Sequence, residues 1–264
     1  MKLIQIVCCA LILILSLDAH PIVVRHDVEP HNYVLKQTPS FLVDMPNGGH
    51  GALIASNWVV TVAHLLSPDF VGKKIKIGKQ QLEVEKVIRY PGVTEIPESI
   101  LTGDAADLMT FMMNAHDIAL IKLSTKLPDN APIKIYSGNK ELGQIIEGYG
   151  RGTTGNGNTG SVSGTHGVLR QLQNRIDETH DNWLSITFDR GKNALELEGI
   201  DGSWDSGGPL VIKSNGKKYL VGLFCWDYIE GNLEDFEAGY YGKKSYQVRL
   251  SSYAEWIRKT IVEN

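Results

Sequence analysis

Short apolar segments separated by glycine-bearing turns recur along most of this chain, and no other feature constrains its fold as strongly. Examples are "WVVTVAH", "KIKIG", "LEVEKVIRY", "IALIKL", "LSITF", "PLVIK" and "YLVGLFCW". Several alternate apolar and polar residues or are rich in valine and isoleucine, which favours β-strands. About ten such strands without a repeat period predict an all-β sandwich or barrel.

One helix is expected at the C-terminus. Its apolar stripe, at helical spacing, consists of Tyr253, Trp256, Ile257 and Ile261. Ser252, followed three residues later by Glu255, matches a capping box.

Two stretches have the composition of long loops. They are residues 91–114 and the Gly-, Ser-, Thr- and Asn-rich residues 148–167. An interdomain linker is the alternative for the second stretch. We favour a loop, because strand-like segments resume on both sides of it.

The N-terminus resembles a secretory signal peptide over residues 1–19. Lys2 precedes an apolar run that ends at Leu17, and Ala19 supplies a small residue for cleavage. A retained membrane anchor is the alternative, but the run is about 15 residues and a bilayer needs about 20.

Charge and cysteine content narrow the range of partners and origins. The formal net charge is −4 without a long basic run, which argues against a nucleic-acid partner. Removal of residues 1–19 takes away Cys8 and Cys9 and leaves Cys225 alone, so the mature chain forms no internal disulfide. This is unusual for an exported protein and favours a bacterial periplasmic or secreted origin over an animal extracellular one.

Three local motifs bring together residue types that suit nucleophilic catalysis. His64 closes the strand "NWVVTVAH", Asp117 opens "HDIALIKL", and Ser206 lies in "DSGGP". Serine needs a base near neutral pH, histidine is the usual base, and an acid partner fixes the histidine tautomer. Each motif alone has a structural explanation, but the three in this order predict a hydrolase.

No metal or organic cofactor is expected. No His/Cys pair has the spacing of a metal site, and "GNGNTG" does not stand between a strand and a helix as a phosphate loop would.

These motifs, with "YLVGLFCWDY" and "YQVRLSSYAEWIRKTI", resemble the trypsin/chymotrypsin family of serine proteases, and "VVRHDV" and "YYG" are closer to its bacterial-type members. The resemblance implies two six-stranded antiparallel β-barrels and a C-terminal α-helix, with the active site in the cleft between the barrels. Residues 20–135 would form the barrel that carries His64 and Asp117. Residues 136–264 would form the barrel that carries Ser206, and the helix.

The resemblance also assigns roles. His64 would be the general base, Asp117 its orienting acid and Ser206 the nucleophile, with backbone N–H groups of Trp204 and Ser206 forming the oxyanion hole. The chain would then be a secreted or periplasmic serine endopeptidase that acts on polypeptides. It would have no membrane contact after signal cleavage, and its oligomeric state stays open.

Asp205 matches the family's aspartate that pairs with a newly freed N-terminus. The candidate partner is Ile22 in "HPIVVRHD", although a cut after Ala19 would leave His20 and Pro21 ahead of it. Ile22 is equally interpretable as the first residue of a strand.

The main departure from the family pattern is Trp204, where glycine is usual. A positive φ there would cost a bulky residue on the order of 1 kcal/mol. The loop could keep its path and donate the Trp204 N–H, or the peptide could flip and turn a carbonyl into the hole. The second outcome would suit a pseudoprotease that acts as a binding module.

The substrate cleft departs as well. Ile200 aligns near the base of the specificity pocket, where trypsin-like members keep an aspartate. Cleavage after Lys or Arg is therefore not favoured. The alternative is an alignment shifted by one residue, which would place Asp201 at that position. Cys225 and Trp226 replace a Ser-Trp pair, and Asp227 would narrow the pocket mouth and make it negative. We expect Cys225 to be a small packed residue, with a redox-sensitive thiol as the alternative. A narrow-specificity hydrolase or esterase is a further possibility.

Overall fold

A computed structural model describes residues 22–128, 131–162 and 167–264, so the expected signal peptide lies outside the described residues. The strands, in chain order, are β1 (Ile22–Val24), β2 (Leu42–Asp44), β3 (His50–Ala55), β4 (Trp58–Thr61), β5 (Lys74–Ile77), β6 (Gln80–Arg89), β7 (Ala119–Leu123), β8 (Ile145–Gly150), β9 (Thr154–Asn156), β10 (Gly160–Val162), β11 (Arg170–Arg175), β12 (Glu178–Thr179), β13 (Trp183–Thr187), β14 (Gly199–Ile200), β15 (Pro209–Ser214), β16 (Lys217–Asp227) and β17 (Lys244–Arg249). The helices are α1 (Ala106–Asn114) and α2 (Ala254–Glu263).

Six strands in the first half close into an antiparallel barrel in the order β2-β3-β4-β7-β6-β5. Their side chains alternate between core and solvent, as a half-buried strand requires. On β5, for example, Ile75 and Ile77 are buried while Lys74 and Lys76 are exposed. His64 follows β4 and Asp117 precedes β7, and these two strands are neighbours in the barrel.

The second half is a seven-stranded antiparallel sheet in the order β11-β8-β15-β16-β17-β13-β12. Its two edge strands are not paired with each other, and β12 has only two residues. The all-β prediction is confirmed, but the fold combines one closed six-stranded barrel with a half-barrel rather than two closed barrels.

A smaller sheet joins the N-terminal strand to this half, in the order β10-β9-β1-β14. β1 pairs in parallel with β9 and antiparallel with β14. The stretch 148–167 was expected to be a loop, but it contains the end of β8 and the hairpin β9–β10; residues 163–166 lie outside the described part.

One apolar cluster continues from the barrel into the second sheet. It includes Val59 and Leu120 of the barrel together with Val248, Leu250 and Tyr253 near the C-terminus. Because both halves contribute to this core, the chain has a continuous apolar support that needs no disulfide.

The stretch 91–114 is not a loop throughout, because it ends in helix α1. The Asp104 carboxylate accepts a hydrogen bond of 2.8 Å from the N–H of Ala106 and so supports the first turn. The buried side chains of Leu108 and Met109 pack against Trp226 of β16. This tertiary contact, which no local pattern reveals, stabilises the helix.

The C-terminal helix is confirmed as α2, with Tyr253 and Ile257 buried and Trp256 and Ile261 packed at the edge of the core. The prediction of a capping box was wrong. Ser252 lies in a short 3-10 turn before the helix, and its hydroxyl donates to the carbonyl of Asp181. Among the described residues, no helix is long and apolar enough to cross a membrane.

Glu147 connects three neighbouring strands of the second sheet. Its carboxylate on β8 lies 2.5 Å from Lys213 Nζ on β15 and 2.6 Å from Lys218 Nζ on β16, and it accepts a hydrogen bond of 2.7 Å from Tyr149. Burial alone would raise the pKa of Glu147, but the hydrogen bonds from the two lysines and the tyrosine outweigh it and lower that pKa to about 2.

We predict that Glu147→Gln lowers the free energy of unfolding at pH 7 by about 1 kcal/mol, since both lysines are partly exposed and screened. A folded-state pKa below the ordinary 4.5 means that this stabilisation is complete above that pH and is lost as the pH falls towards 2. Urea unfolding between pH 7 and pH 2 should therefore show a shallower pH dependence for Glu147→Gln. The exposed Glu98→Gln serves as the control, and equal curves for wild type and Glu147→Gln would contradict the assignment.

Candidate active site

Asp117 holds His64 by two hydrogen bonds. Its Oδ1 accepts from the backbone N–H of His64 at 2.9 Å, and its Oδ2 lies 2.5 Å from Nδ1 of the imidazole. The ring is therefore fixed with its proton on Nδ1, which leaves Nε2 as the available base. His64 is 43% exposed in its side chain and Asp117 13%, so the base faces solvent and the acid does not.

Cys225 makes a third hydrogen bond to the same carboxylate. Its Sγ lies 3.1 Å from Oδ2 of Asp117. Burial raises the pKa of the thiol, and the neighbouring charges of Asp117 and Asp201 raise it further. The thiol is therefore a neutral S–H donor, and a reactive thiolate is disfavoured.

These contacts keep Asp117 ionised. Burial alone would raise the pKa of its carboxyl group, but the hydrogen bonds and charge from His64 and the hydrogen bond from Cys225 hold that pKa below its ordinary value. A negative Asp117 is the state that stabilises a protonated imidazole.

His64, Asp117 and Cys225 also place nitrogen, oxygen and sulfur atoms within 4.8 Å of one another. The separations of 2.5 Å and 3.1 Å are hydrogen-bond distances. Ligands about 2.0–2.3 Å from a tetrahedral zinc lie further apart from each other. The three side chains are therefore arranged as a hydrogen-bonded chain rather than as a metal site.

The nucleophile loop, residues 201–208, is held from both halves of the molecule. The Ser206 carbonyl accepts a hydrogen bond of 2.8 Å from the N–H of His50 on β3, and the Gly207 N–H donates at 2.8 Å to Phe224 on β16. Gly207 has φ +75°, and a Cβ there would lie 2.1 Å from the His50 carbonyl oxygen. Only glycine fits this turn beside the serine.

Ser206 and His64 are not hydrogen-bonded to each other among the described residues. In unliganded enzymes such a contact is often loose and tightens on substrate binding. The backbone of the Ser206 loop is hydrogen-bonded to β3 and β16, and His64 is fixed by Asp117.

Trp204 adopts a left-handed backbone conformation with φ +76°. This is the conformation that favours glycine, so the chain keeps the glycine-like path with a bulky residue. Room for the indole comes from Gly48, where an added Cβ would lie 2.0 Å from Cε3 of the ring. Trp204 is 55% exposed, and its ring covers the Gly48 backbone.

The peptide before Trp204 has a defined orientation. Its carbonyl, that of Ser203, accepts a hydrogen bond of 2.7 Å from the N–H of Thr153. In a trans peptide the N–H points opposite to the carbonyl, so the Trp204 N–H points away from Thr153. The Asp205 carbonyl likewise accepts from Gly208 at 2.8 Å, which turns the Ser206 N–H away from that turn.

Asp205 is fully buried and binds three separate segments. Its carboxylate accepts hydrogen bonds from the N–H of Gly152 at 2.7 Å, from the N–H of Gly202 at 3.0 Å and from the backbone N–H of Ile22. Burial raises the pKa of Asp205, and these hydrogen bonds with the nearby His50 offset only part of that effect. Ile22 itself has φ +64°, a strained value for a β-branched residue.

A polar network beside Asp205 was not anticipated from the sequence. His50 is 2% exposed, its Nε2 accepts from the Arg151 N–H at 3.0 Å, and its Nδ1 lies 3.2 Å from Asp44. The Arg151 side chain reaches the same Asp44 oxygen at 3.2 Å. The available signal was a histidine in the otherwise apolar and glycine-rich segment "GGHGALI".

The expected cleft residues occupy different environments. Ile200 is 1% exposed and lies in an apolar cluster with Ile22 and Val23, because β14 pairs with β1.

Asp201 accepts a hydrogen bond of 2.6 Å from the Ser245 hydroxyl. Trp226 stacks on Tyr246 with ring centroids 4.3 Å apart, and Asp227 lies opposite Ser245 across β16 and β17.

The sequence model of the Trypsin family matches residues 31–257. The chain belongs to the trypsin family of serine endopeptidases. It is 26% identical to coagulation factor IX of the guinea pig over 213 residues, which are 78% of this chain and 70% of that protein. It is 24% identical to serine proteinase Stubble of Drosophila melanogaster over 247 residues, 86% of this chain but only 29% of that protein.

Among solved structures, neuropsin, a serine protease expressed in the limbic system of mouse brain, matches with a TM-score of 0.63 at 19% identity. The match covers 91% of this chain and 100% of the neuropsin chain and shows the shared fold. These relatives are animal proteins, so the bacterial-type resemblance is unsupported.

We predict that Trp204→Gly is labelled by a small fluorophosphonate at a rate within about threefold of wild type, because the proposed donor is a backbone N–H. Trp204→Pro lacks that N–H and fixes φ near −65°, so its labelling should slow by about 10²–10³. Intact mass spectrometry measures both rates, and thermal unfolding verifies folding. An equally large loss in Trp204→Gly would contradict the backbone role.

Proposed function

We propose that this protein is a secreted serine endopeptidase in which Ser206 is the nucleophile, His64 the base and Asp117 its orienting acid. The observation that carries the proposal is the double hydrogen bond from Asp117 to the backbone and ring of His64. This arrangement presents Nε2 as an acceptor and prepares a stabilising charge for the imidazolium.

In the proposed reaction, His64 Nε2 takes the Ser206 proton as Oγ attacks the peptide carbonyl. The oxyanion that forms is bound by the N–H groups of Trp204 and Ser206. Imidazolium then returns the proton to the leaving amine, the C–N bond breaks, and an acyl-enzyme is left. Water, deprotonated by His64, hydrolyses the ester and restores Ser206.

The binding-module alternative rests on Trp204, whose φ of +76° costs a non-glycine residue about 1 kcal/mol. The hydrogen bond from Thr153 to the Ser203 carbonyl favours the active form, because it directs the carbonyl away from the side to which the Trp204 N–H points. A narrow-specificity hydrolase would share the same residues and differ only in its substrate.

We predict that Ser206→Ala abolishes fluorophosphonate labelling and peptide hydrolysis and leaves the thermal midpoint unchanged, because only the attacking oxygen is lost. Intact mass spectrometry and a peptide-library digest provide the measurements. If folded wild-type protein is not labelled by the fluorophosphonate, the binding-module alternative is established instead. A digest restricted to one sequence or to ester substrates would establish the narrow hydrolase.

We further propose that the active chain begins at Ile22. A free amine at Ile22 would carry a positive charge next to the buried Asp205 carboxylate, whose partners among the described residues are neutral N–H donors and His50. Cleavage before Ile22 would also remove the strained torsion, since φ requires a preceding carbonyl carbon.

We predict that a chain with its N-terminus at Ile22 turns over substrate at least about tenfold faster than one that starts at His20, because the charged pair fixes the nucleophile loop. Asp205→Asn should abolish this difference. Both chains can be released from a removable fusion partner and compared by active-site titration and initial rates. Equal rates for the two wild-type chains would show that the enzyme works without a freed amine.

A further inference from the structure

The indole of Trp204 is a large apolar surface two residues before the nucleophile. All five tryptophans lie within the described residues, and Trp204, at 55%, is the only one of them that is exposed. The other four are buried or partly buried, as is usual for so large an apolar side chain. The catalytic role proposed for Trp204 uses only its backbone N–H and does not account for the ring.

The chain keeps this ring at an energetic cost. Trp204 has φ +76°, which costs a non-glycine residue on the order of 1 kcal/mol. The turn between β2 and β3 is adapted to the ring, since Gly48 has φ +91° and an added Cβ there would lie 2.0 Å from Cε3 of the indole. Strain that is retained beside a nucleophile, with a neighbour that makes room for the side chain, indicates a use for that side chain.

The same turn also contacts Ser206 and the residue that follows His64. An added Cβ at Gly49 would lie 2.6 Å from Cδ1 of Leu65 and 3.0 Å from the Ser206 carbonyl oxygen. Trp204 and Leu65 therefore pack on consecutive glycines of one turn. Leu65 is only partly buried against the core of the barrel, so the two side chains offer neighbouring apolar surfaces.

The peptide between Ser206 and Gly207 shows on which side of the nucleophile these surfaces lie. Its carbonyl accepts from the N–H of His50 on β3, and its N–H donates to the carbonyl of Phe224 on β16, each at 2.8 Å. The carbonyl and the N–H of a trans peptide point in opposite directions, so β3 and β16 lie on opposite sides of this peptide. A polypeptide bound across Ser206 therefore has one part near β16 and the other part near the turn that precedes β3.

The leaving group belongs on the side of the turn. In the proposed reaction, His64 returns its proton to the leaving amine, so the segment that departs lies beside His64. Leu65 follows His64 directly in the chain and packs on Gly49. The residues after the cleaved bond therefore extend towards Leu65 and Trp204.

We propose that the Trp204 indole, with Leu65 beside it, binds an aromatic or large aliphatic side chain in one of the first two residues after the cleaved bond. This inference rests on the proposed function and adds a substrate preference on the leaving-group side. Contact between aromatic rings stabilises a complex beyond the burial of their area. A basic side chain also contacts a ring face favourably, but Leu65 has no polar group to replace the water that the cation loses.

Acyl transfer tests the leaving-group side by itself, because an amine that captures the acyl-enzyme occupies the place of the leaving group. p-Nitrophenyl acetate acetylates Ser206 and releases p-nitrophenol. The amine of a dipeptide amide then attacks the acetyl carbonyl, His64 takes a proton from the amine and passes it to Oγ, and the N-acetyl dipeptide amide is released. Mass spectrometry measures the ratio of the products formed from two competing amines.

Phenylalanyl-glycinamide and glycyl-phenylalaninamide each compete with glycyl-glycinamide for the acetyl-enzyme of the full mature protein. Successive side chains of an extended chain point to opposite faces, so only one of the two phenylalanines should meet the indole. We expect that amide to be captured at least about fivefold better than glycyl-glycinamide, and the other within about twofold of it. Lysine at the preferred position should be captured less well than phenylalanine.

Trp204→Ala should bring the preferred ratio to within about twofold of one, and Trp204→Phe should retain part of it, since only the second variant keeps an aromatic ring. Both amines compete for one acyl-enzyme, so the ratio does not depend on how fast that acyl-enzyme forms. Leu142→Ala, which truncates an exposed leucine that precedes β8, controls for the loss of apolar surface and should leave the ratio unchanged.

The outcomes separate this inference from the proposed function. Ester turnover that depends on Ser206, with no capture or with equal capture of all the amides, would overturn the preference alone. The same holds if lysine equals phenylalanine, or if Trp204→Ala keeps or increases the preference for phenylalanine. Absence of fluorophosphonate labelling, with ester hydrolysis no faster than that of Ser206→Ala, would overturn the catalytic function and this inference with it.

Discussion

A single buried carboxylate, that of Asp205, holds together the segments on which the rest of the site depends. Its oxygens bind the N–H groups of Gly152, Gly202 and Ile22, which come from the loop between β8 and β9, the nucleophile loop and the first strand. A buried carboxylate is costly unless it is fully hydrogen-bonded, so these segments favour one common arrangement. The path of residues 201–206, including the strained Trp204, follows from that arrangement.

The described part of the chain has one cysteine and therefore no disulfide within it, so other interactions connect its two halves. A continuous apolar cluster extends from the barrel into the half-barrel. A hydrogen-bonded network of the buried His50 with the partly exposed Asp44 and Arg151 joins β2 and β3 to the segment after β8. Direct hydrogen bonds between the halves, such as that from the His50 N–H to the Ser206 carbonyl, fix the position of one half relative to the other, as a covalent link would.

Much of the fold was predictable, because strand patterns and the helical stripe of α2 are local properties of the sequence. Closure was not, because it depends on whether distant edge strands meet, and β12 is too short to complete the second barrel. Helix α1 escaped prediction because its support comes from Trp226, more than 100 residues away in sequence. The capping interpretation failed because Ser252 belongs to a 3-10 turn that precedes the helix.

For the candidate site, the sequence indicated the type of chemistry but not the detailed side-chain contacts. The order of His64, Asp117 and Ser206 indicated the chemistry, and the departure at Trp204 indicated where to look. The sequence could not show that Cys225 donates to Asp117, because that contact depends on which side chain of β16 faces the barrel. Nor could it show that Ile200 packs in an apolar cluster while Asp201 accepts a hydrogen bond from Ser245, because a one-residue shift exchanges the two environments.

In the proposed mechanism, the Trp204 peptide presents its N–H to the reacting oxygen despite the bulky side chain. A crystal structure of the mature protein with a phosphonate covalently bound to Ser206 tests this most directly. We expect a phosphonyl oxygen about 2.7–3.1 Å from the backbone nitrogens of both Trp204 and Ser206. A flipped peptide with the Ser203 carbonyl directed at that oxygen, or an adduct on another residue, would contradict it.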